Sequence, residues 1–132
     1  MDLVVDASAI IAVIVNEPHR EAILRLSRGV ELLAPASLHW EIGNAFSAMF
    51  KRRRLTLDEA KKAIRAYLEI PIRFSDIDLD LALDLAAQLD VYAYDAYVIS
   101  CALKHQCPLL TLDKGLADAA ASAGVEVKEI TT

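Results

Sequence analysis

The chain has 132 residues, of which 55% are apolar, 25% charged and 6% aromatic. That suffices for one sizeable core and excludes a disordered, solvated chain. Fourteen basic against 19 acidic residues leave a net charge of -5, which argues against a general nucleic-acid coat but not against a nuclease whose acids bind metal.

Residues 3–6 read as a short apolar strand. The acids Asp2 and Asp6 around it, with no basic start, do not make a secretory signal. Residues 7–15 and 18–28 read as helix, with a break near Asn16-Glu17-Pro18. The longest uninterrupted apolar run lies here, Ala9 to Val15, and at seven residues it falls far short of the roughly 20 that span a membrane. A strand follows at 31–34. Pro35 suits the first turn of a helix reaching Arg54. Thr56-Leu57-Asp58-Glu59 has the capping-box pattern and opens a helix to about residue 68. Residues 72–74 form a strand, 78–89 a helix with acids in its first turn, and 94–105 another helix. A strand at 109–112, a helix at 114–123 stopped by Gly124, and a strand at 125–130 complete the chain. Cys101 and Cys107 are the only cysteines; they imply no disulfide framework and fit a reducing cytoplasm.

Strands separated by helices pair in parallel, with helices on both faces, and the expectation is one α/β domain over residues 1–132. In such sheets ligands bind beyond the carboxyl ends of the strands. Asp6 and Asp113 each stand at a strand end. Each also precedes a helix, where Asp is a favoured N-cap; the two roles are compatible.

Asp95 falls inside the apolar stripe Val98, Ile99, Ala102 and Leu103 when its helix is drawn at roughly 100° per residue. A carboxylate facing a core is costly unless paired, protonated or bound to metal. The alternative is that Asp95 turns back to cap its own helix. Glu41 lies on the margin of the stripe Leu38, Ile42, Ala45, Phe46 and Met49, with Asn44 one turn later; it either joins the site or reaches to water. Four converging acids repel one another, and a hard divalent cation relieves that repulsion. Mg²⁺ and Mn²⁺ prefer oxygen ligands and activate water toward a phosphodiester.

The motifs Val4-Val5-Asp6-Ala7-Ser8, Trp40-Glu41-Ile42-Gly43-Asn44, Tyr94-Asp95-Ala96-Tyr97 and Leu110-Thr111-Leu112-Asp113 resemble those of the PIN-domain family, in particular its VapC-type toxin endoribonucleases. The resemblance implies a three-layer α/β/α fold around a central, mostly parallel sheet. It also implies Mg²⁺- or Mn²⁺-dependent cleavage of RNA by metal-activated water. By motif match Asp6, Glu41, Asp95 and Asp113 are the catalytic and metal-binding acids. Asp6 and Asp95 would hold the principal ion, with Glu41 acting directly or through water. Asp113 would serve a second ion or orient water. Ser8, Asn44 and Thr111 match the supporting polar positions. A VapB-like antitoxin and a homodimer are the implied partners.

Seven of the 14 basic residues lie between Lys51 and Arg65. Lys51, Arg52, Arg53 and Arg54 could grip RNA or an antitoxin, or simply complement a helix end. Trp40 and Phe46 read as core or dimer packing. Tyr92, Tyr94 and Tyr97 read as packing around a helix start, with base stacking the alternative. His19, His39 and His105 have no metal or catalytic spacing. The run Asp76, Asp78, Asp80, Asp84 and Asp90 lacks the Gly and Glu of a calcium loop. Two rival functions remain. A phospho-receiver domain lacks its Lys at the right place, and a catalytically silent PIN-like module that binds RNA or protein would not need all four acids.

Overall fold

The computed structural model describes residues 1–15 and 19–130. Among them the elements run β1 (Asp2–Val5), α1 (Ala7–Ile14), α2 (Arg20–Ser27), β2 (Glu31–Pro35), α3 (Leu38–Lys51) and α4 (Leu57–Glu69). They continue with β3 (Ile72–Ser75), α5 (Leu79–Leu89), α6 (Ala93–His105), β4 (Leu109–Leu110), α7 (Lys114–Ser122) and β5 (Val127–Lys128). The sheet order is β3-β2-β1-β4-β5, and every pairing is parallel. The expected α/β/α layering is therefore present, with a wholly parallel sheet.

Side-chain alternation along the strands explains the layers. Leu3, Val5, Ala34 and Leu110 point into one core, with α1, α2, α3 and α4. Val4, Leu33 and Leu109 point into the other, with α6 and α7. The chain builds outward from β1 to β2 and β3, then crosses back to β4 on the far side of β1. The order reverses between β1 and β4, and a crevice opens there beyond the strand ends.

Several boundaries differ from expectation. Pro35 is the last residue of β2, paired in register with Ser75, because proline tolerates a strand end whose N–H is not needed. The helix after it ends at Lys51, and Arg53 takes a φ of 60° in the turn that follows. The last two strands shrink to two residues each. Leu112 leaves the ladder because its N–H is donated to the Ser8 hydroxyl. The expected break at Asn16-Glu17-Pro18 lies outside the described residues. The capping box of α4 is present as expected: Glu59 N donates to Thr56 Oγ1, and Thr56 N donates to Glu59 Oε1.

Candidate active site

Asp6 leaves β1 at its carboxyl end and caps α1, its Oδ1 accepting from Ala9 N at 3.1 Å. It is only 6% exposed. Two hydroxyls complete its shell. Thr111 Oγ1 donates to Oδ2 at 2.6 Å, and Ser8 Oγ donates to Oδ1 at 2.8 Å. Each hydroxyl is itself oriented by a backbone donor. Asp113 N donates to Thr111 Oγ1 at 3.0 Å, and Leu112 N donates to Ser8 Oγ at 2.9 Å. Two parallel chains of N–H to hydroxyl to carboxylate thus tie the end of β4 to the end of β1. Chains of this kind polarise one another and fix a single rotamer. Burial still pushes the Asp6 carboxyl above its ordinary range, against the lowering pull of Thr111, Ser8 and Ala9, and Asp113 adds like-charge repulsion.

Asp113 follows the same logic at the end of β4, capping α7 through Leu116 N at 3.2 Å. Both strand-end acids therefore are caps, as their positions suggested.

Glu41 sits in the first turn of α3 and Asp95 in the first turn of α6. The capping alternative for Asp95 does not hold: Tyr92 occupies the N-cap, and no side chain caps that end. Burial raises the Asp95 carboxyl, and Asp113 and Asp6 raise it further. Glu41 is pushed up to about 7 by burial first, then by repulsion from Asp6 and Asp95. Its Oε1 is buried and, among the described residues, has no hydrogen-bond partner. Each of the four acids thus repels at least two of the others. Four separate elements, converging where the sheet order reverses, produce that coupling.

The PIN-domain profile matches residues 3–122. The chain belongs to the PIN-domain family. Solved structures share the fold across most of this PIN domain. The VapBC2 complex of Rickettsia felis, bound to a DNA fragment from its promoter, superposes with a TM-score of 0.72 at 10% identity, covering 99% of this chain and 100% of that one. VapC20 of Mycobacterium tuberculosis, a toxin that cleaves the sarcin-ricin loop, gives 0.63 at 16% identity, over 89% and 94%. FitAcB of Neisseria gonorrhoeae gives 0.64 at 18% identity, over 96% of both chains. No curated protein matches the chain.

PIN-type nuclease chemistry implies a divalent ion, and the residues present fit one. Four mutually repelling carboxylates and an orphaned Glu41 oxygen are the donor set that a hard cation neutralises. Among the described residues, no group of three or more His, Cys, Asp or Glu side chains is closed up to hold a metal by itself. Mg²⁺ keeps several waters and takes one or two carboxylates, so it needs no such cage.

The remaining candidates divide. Ser8 and Thr111 are brought onto Asp6. Asn44 is exposed on α3, and among the described residues its side chain makes no hydrogen bond. Lys51, Arg52, Arg53 and Arg54 are exposed beyond the far end of α3 from Glu41. Phe46 is core, but Trp40 is 72% exposed, because it lies outside the stripe that packs α3 on the sheet. Tyr94 lies edge-on against Tyr97 at 5.8 Å, with half its surface open. His39 joins Tyr67 through a 2.8 Å hydrogen bond and stacks on Phe74, a packing role. His105 pairs with Ser75 at 2.9 Å. The sequence reading missed the backbone donors of Ala9, Leu112 and Asp113, which carry no side-chain signal. It also missed Ser37, a serine before a helix that caps nothing.

Proposed function

We propose that this PIN domain is a Mg²⁺- or Mn²⁺-dependent endoribonuclease, the toxin of a toxin–antitoxin pair. The carrying observation is the coupling of Asp6, Glu41, Asp95 and Asp113 at the end of the sheet, with Glu41 Oε1 left unpartnered. The names of the structural neighbours support the biological setting: one is a toxin that cleaves the sarcin-ricin loop and one a VapBC complex.

When bound, the divalent ion polarises a phosphoryl oxygen and lowers the pKa of its water. Asp6 and Asp95 would hold that ion, with Glu41 acting directly or through water. Asp6 is the fixed member: its donors on both oxygens keep the carboxylate from swinging. Asp113 orients water or serves a second ion. Asn44 lines the approach one turn after Glu41, and Lys51, Arg52, Arg53 and Arg54 attract RNA phosphates or an antitoxin over a longer range. The protein acts in the cytoplasm, as a homodimer, restrained by a small VapB-like partner. The exposed Leu81 and Leu83 of α5 offer apolar surface for self-association. Among the described residues no helix is long and apolar enough to cross a membrane.

The test is cleavage of a total RNA pool by purified, antitoxin-free protein in Mg²⁺, Mn²⁺ or EDTA, with Asp95→Asn as control. Discrete fragments that require both metal and Asp95 are expected. Metal binding by a folded protein that turns over no RNA would favour the silent binding module instead.

A further inference from the structure

A cavity of about 570 Å³ has among its walls the chain neighbours of two of the acids. Trp40 precedes Glu41 on α3, and Tyr94 precedes Asp95 on α6; both rings line the cavity. Both rings are open to water, Trp40 at 72% and Tyr94 at 53%. They are also braced from behind. Tyr94 meets Tyr97 edge-on at 88°, and Trp40 meets the His39 ring edge-on at 6.2 Å. Ser37 also lines the cavity, its Oγ buried behind the surface. Asp76 adds a carboxylate at the rim, its backbone carbonyl accepting from Lys104 Nζ at 3.1 Å, while the neighbouring Ser75 hydroxyl is already engaged with His105.

Exposed aromatic rings flanking a carboxylate, each one residue along the chain from a proposed nuclease acid, suit a flat ligand with a polar edge. We propose that this cavity seats one unstacked nucleobase of a single-stranded RNA substrate, stacked on Trp40 and Tyr94 and read at its edge by Asp76. The proposal rests on the ribonuclease reading and adds a specificity site to it. Base-on-aromatic stacking is tolerant of sequence. The Asp76 carboxylate can only accept, so it favours a base with an exocyclic amine, such as cytosine, over uracil.

Trp40 is the only tryptophan in the chain, so its emission reports the cavity directly. The experiment titrates Asp95→Asn protein, which cannot turn over substrate, with single-stranded tetracytidylate or tetrauridylate RNA. Saturable quenching is expected, tighter for tetracytidylate, with the difference narrowed by Asp76→Asn. Tyr94→Ala should weaken binding by about 5- to 150-fold, the range of one lost stacking contact. In the active enzyme Trp40→Ala should raise KM with kcat nearly unchanged, and Trp40→Phe should recover part of the loss. Three outcomes overturn the proposal: no quenching by either RNA, unaltered cleavage by a folded Trp40→Ala protein, or a Trp40→Ala protein whose only change is loss of a dimer by light scattering. Quenching of the Asp95→Asn protein, with no RNA cleavage by the native protein, would refute the ribonuclease reading and leave the base site standing. Unaltered cleavage in Trp40→Ala would do the reverse.

Discussion

Asp6 and Glu41 belong to one acidic cluster but are held in opposite ways. Asp6 is buried at a strand end and accepts from Ala9, Ser8 and Thr111, two of which are steered by further backbone donors. Glu41 projects from a helix, and its Oε1 is buried with nothing to bind. Hydrogen bonds to a charged group contribute about 1.5–3 kcal/mol each, whereas an unsatisfied buried group costs a similar amount. The Asp6 corner is thus rigid before any ligand arrives, and the Glu41 side stays strained until a positive charge does. A site half built and half frustrated accepts a cation without reorganising its fixed part.

The largest expected effects come from removing the acids themselves. Asp6→Asn or Asp95→Asn should lower RNA cleavage at least about a hundredfold, since several kcal/mol of charge stabilisation disappear. Circular dichroism should report a folded protein in both. Full activity in either variant would dissolve the distinction between fixed and frustrated halves, because neither half would be needed.

Breaking the rigid half indirectly should have a smaller effect. Thr111→Val removes the donor to Asp6 Oδ2 and leaves the Asp113 N–H unpaired. Metal affinity should fall by about 10- to 100-fold, as for other residues that orient a ligand. Stability should fall by about 1–3 kcal/mol. Calorimetric metal titration and chemical denaturation separate the two.

The frustrated half should show itself through pH. Glu41 has a carboxyl near 7 in the folded state against an ordinary 4.5. Between these values the folded protein holds more protons than the unfolded chain, so metal-free stability must fall as pH rises through that window. Burial shifts Asp6 and Asp95 in the same direction. The melting temperature of the metal-free protein should therefore drop between pH 5 and pH 8, and Mg²⁺ should recover it. Glu41→Gln should flatten the drop while lowering activity. A melting temperature that rises over this range would mean the carboxylate is already paired.

The smallest effect is expected far from both halves. Reversing Arg52 and Arg53 to Glu should weaken RNA binding and reduce its salt dependence, with metal binding untouched. An unchanged salt slope would leave these residues as a solvated helix end.

Much of this was legible in the chain. Strand and helix alternation implied the parallel sheet, and capping residues such as Thr56 and Asp78 marked helix starts that the structure keeps. The acids Asp6 and Asp113 stood out by position, and Asp95 by its conflict with an apolar stripe. What stayed hidden was set by distant partners. Pro35 reads as a helix start until β3 lies beside it. Leu112 reads as strand until its N–H is claimed by Ser8, 104 residues away in sequence. Trp40 reads as core or dimer packing because tryptophan is apolar; the packing direction of α3 turns it out of the core.

The central claim is that the four carboxylates form one coupled cation site. Its most direct test is Mn²⁺ titration by calorimetry on the native protein, Asp6→Asn, Asp95→Asn and Asp84→Asn, the last lying on the exposed face of α5. The account predicts binding by the native and Asp84→Asn proteins and its loss in the other two. Equal Mn²⁺ affinity in all four proteins would contradict it.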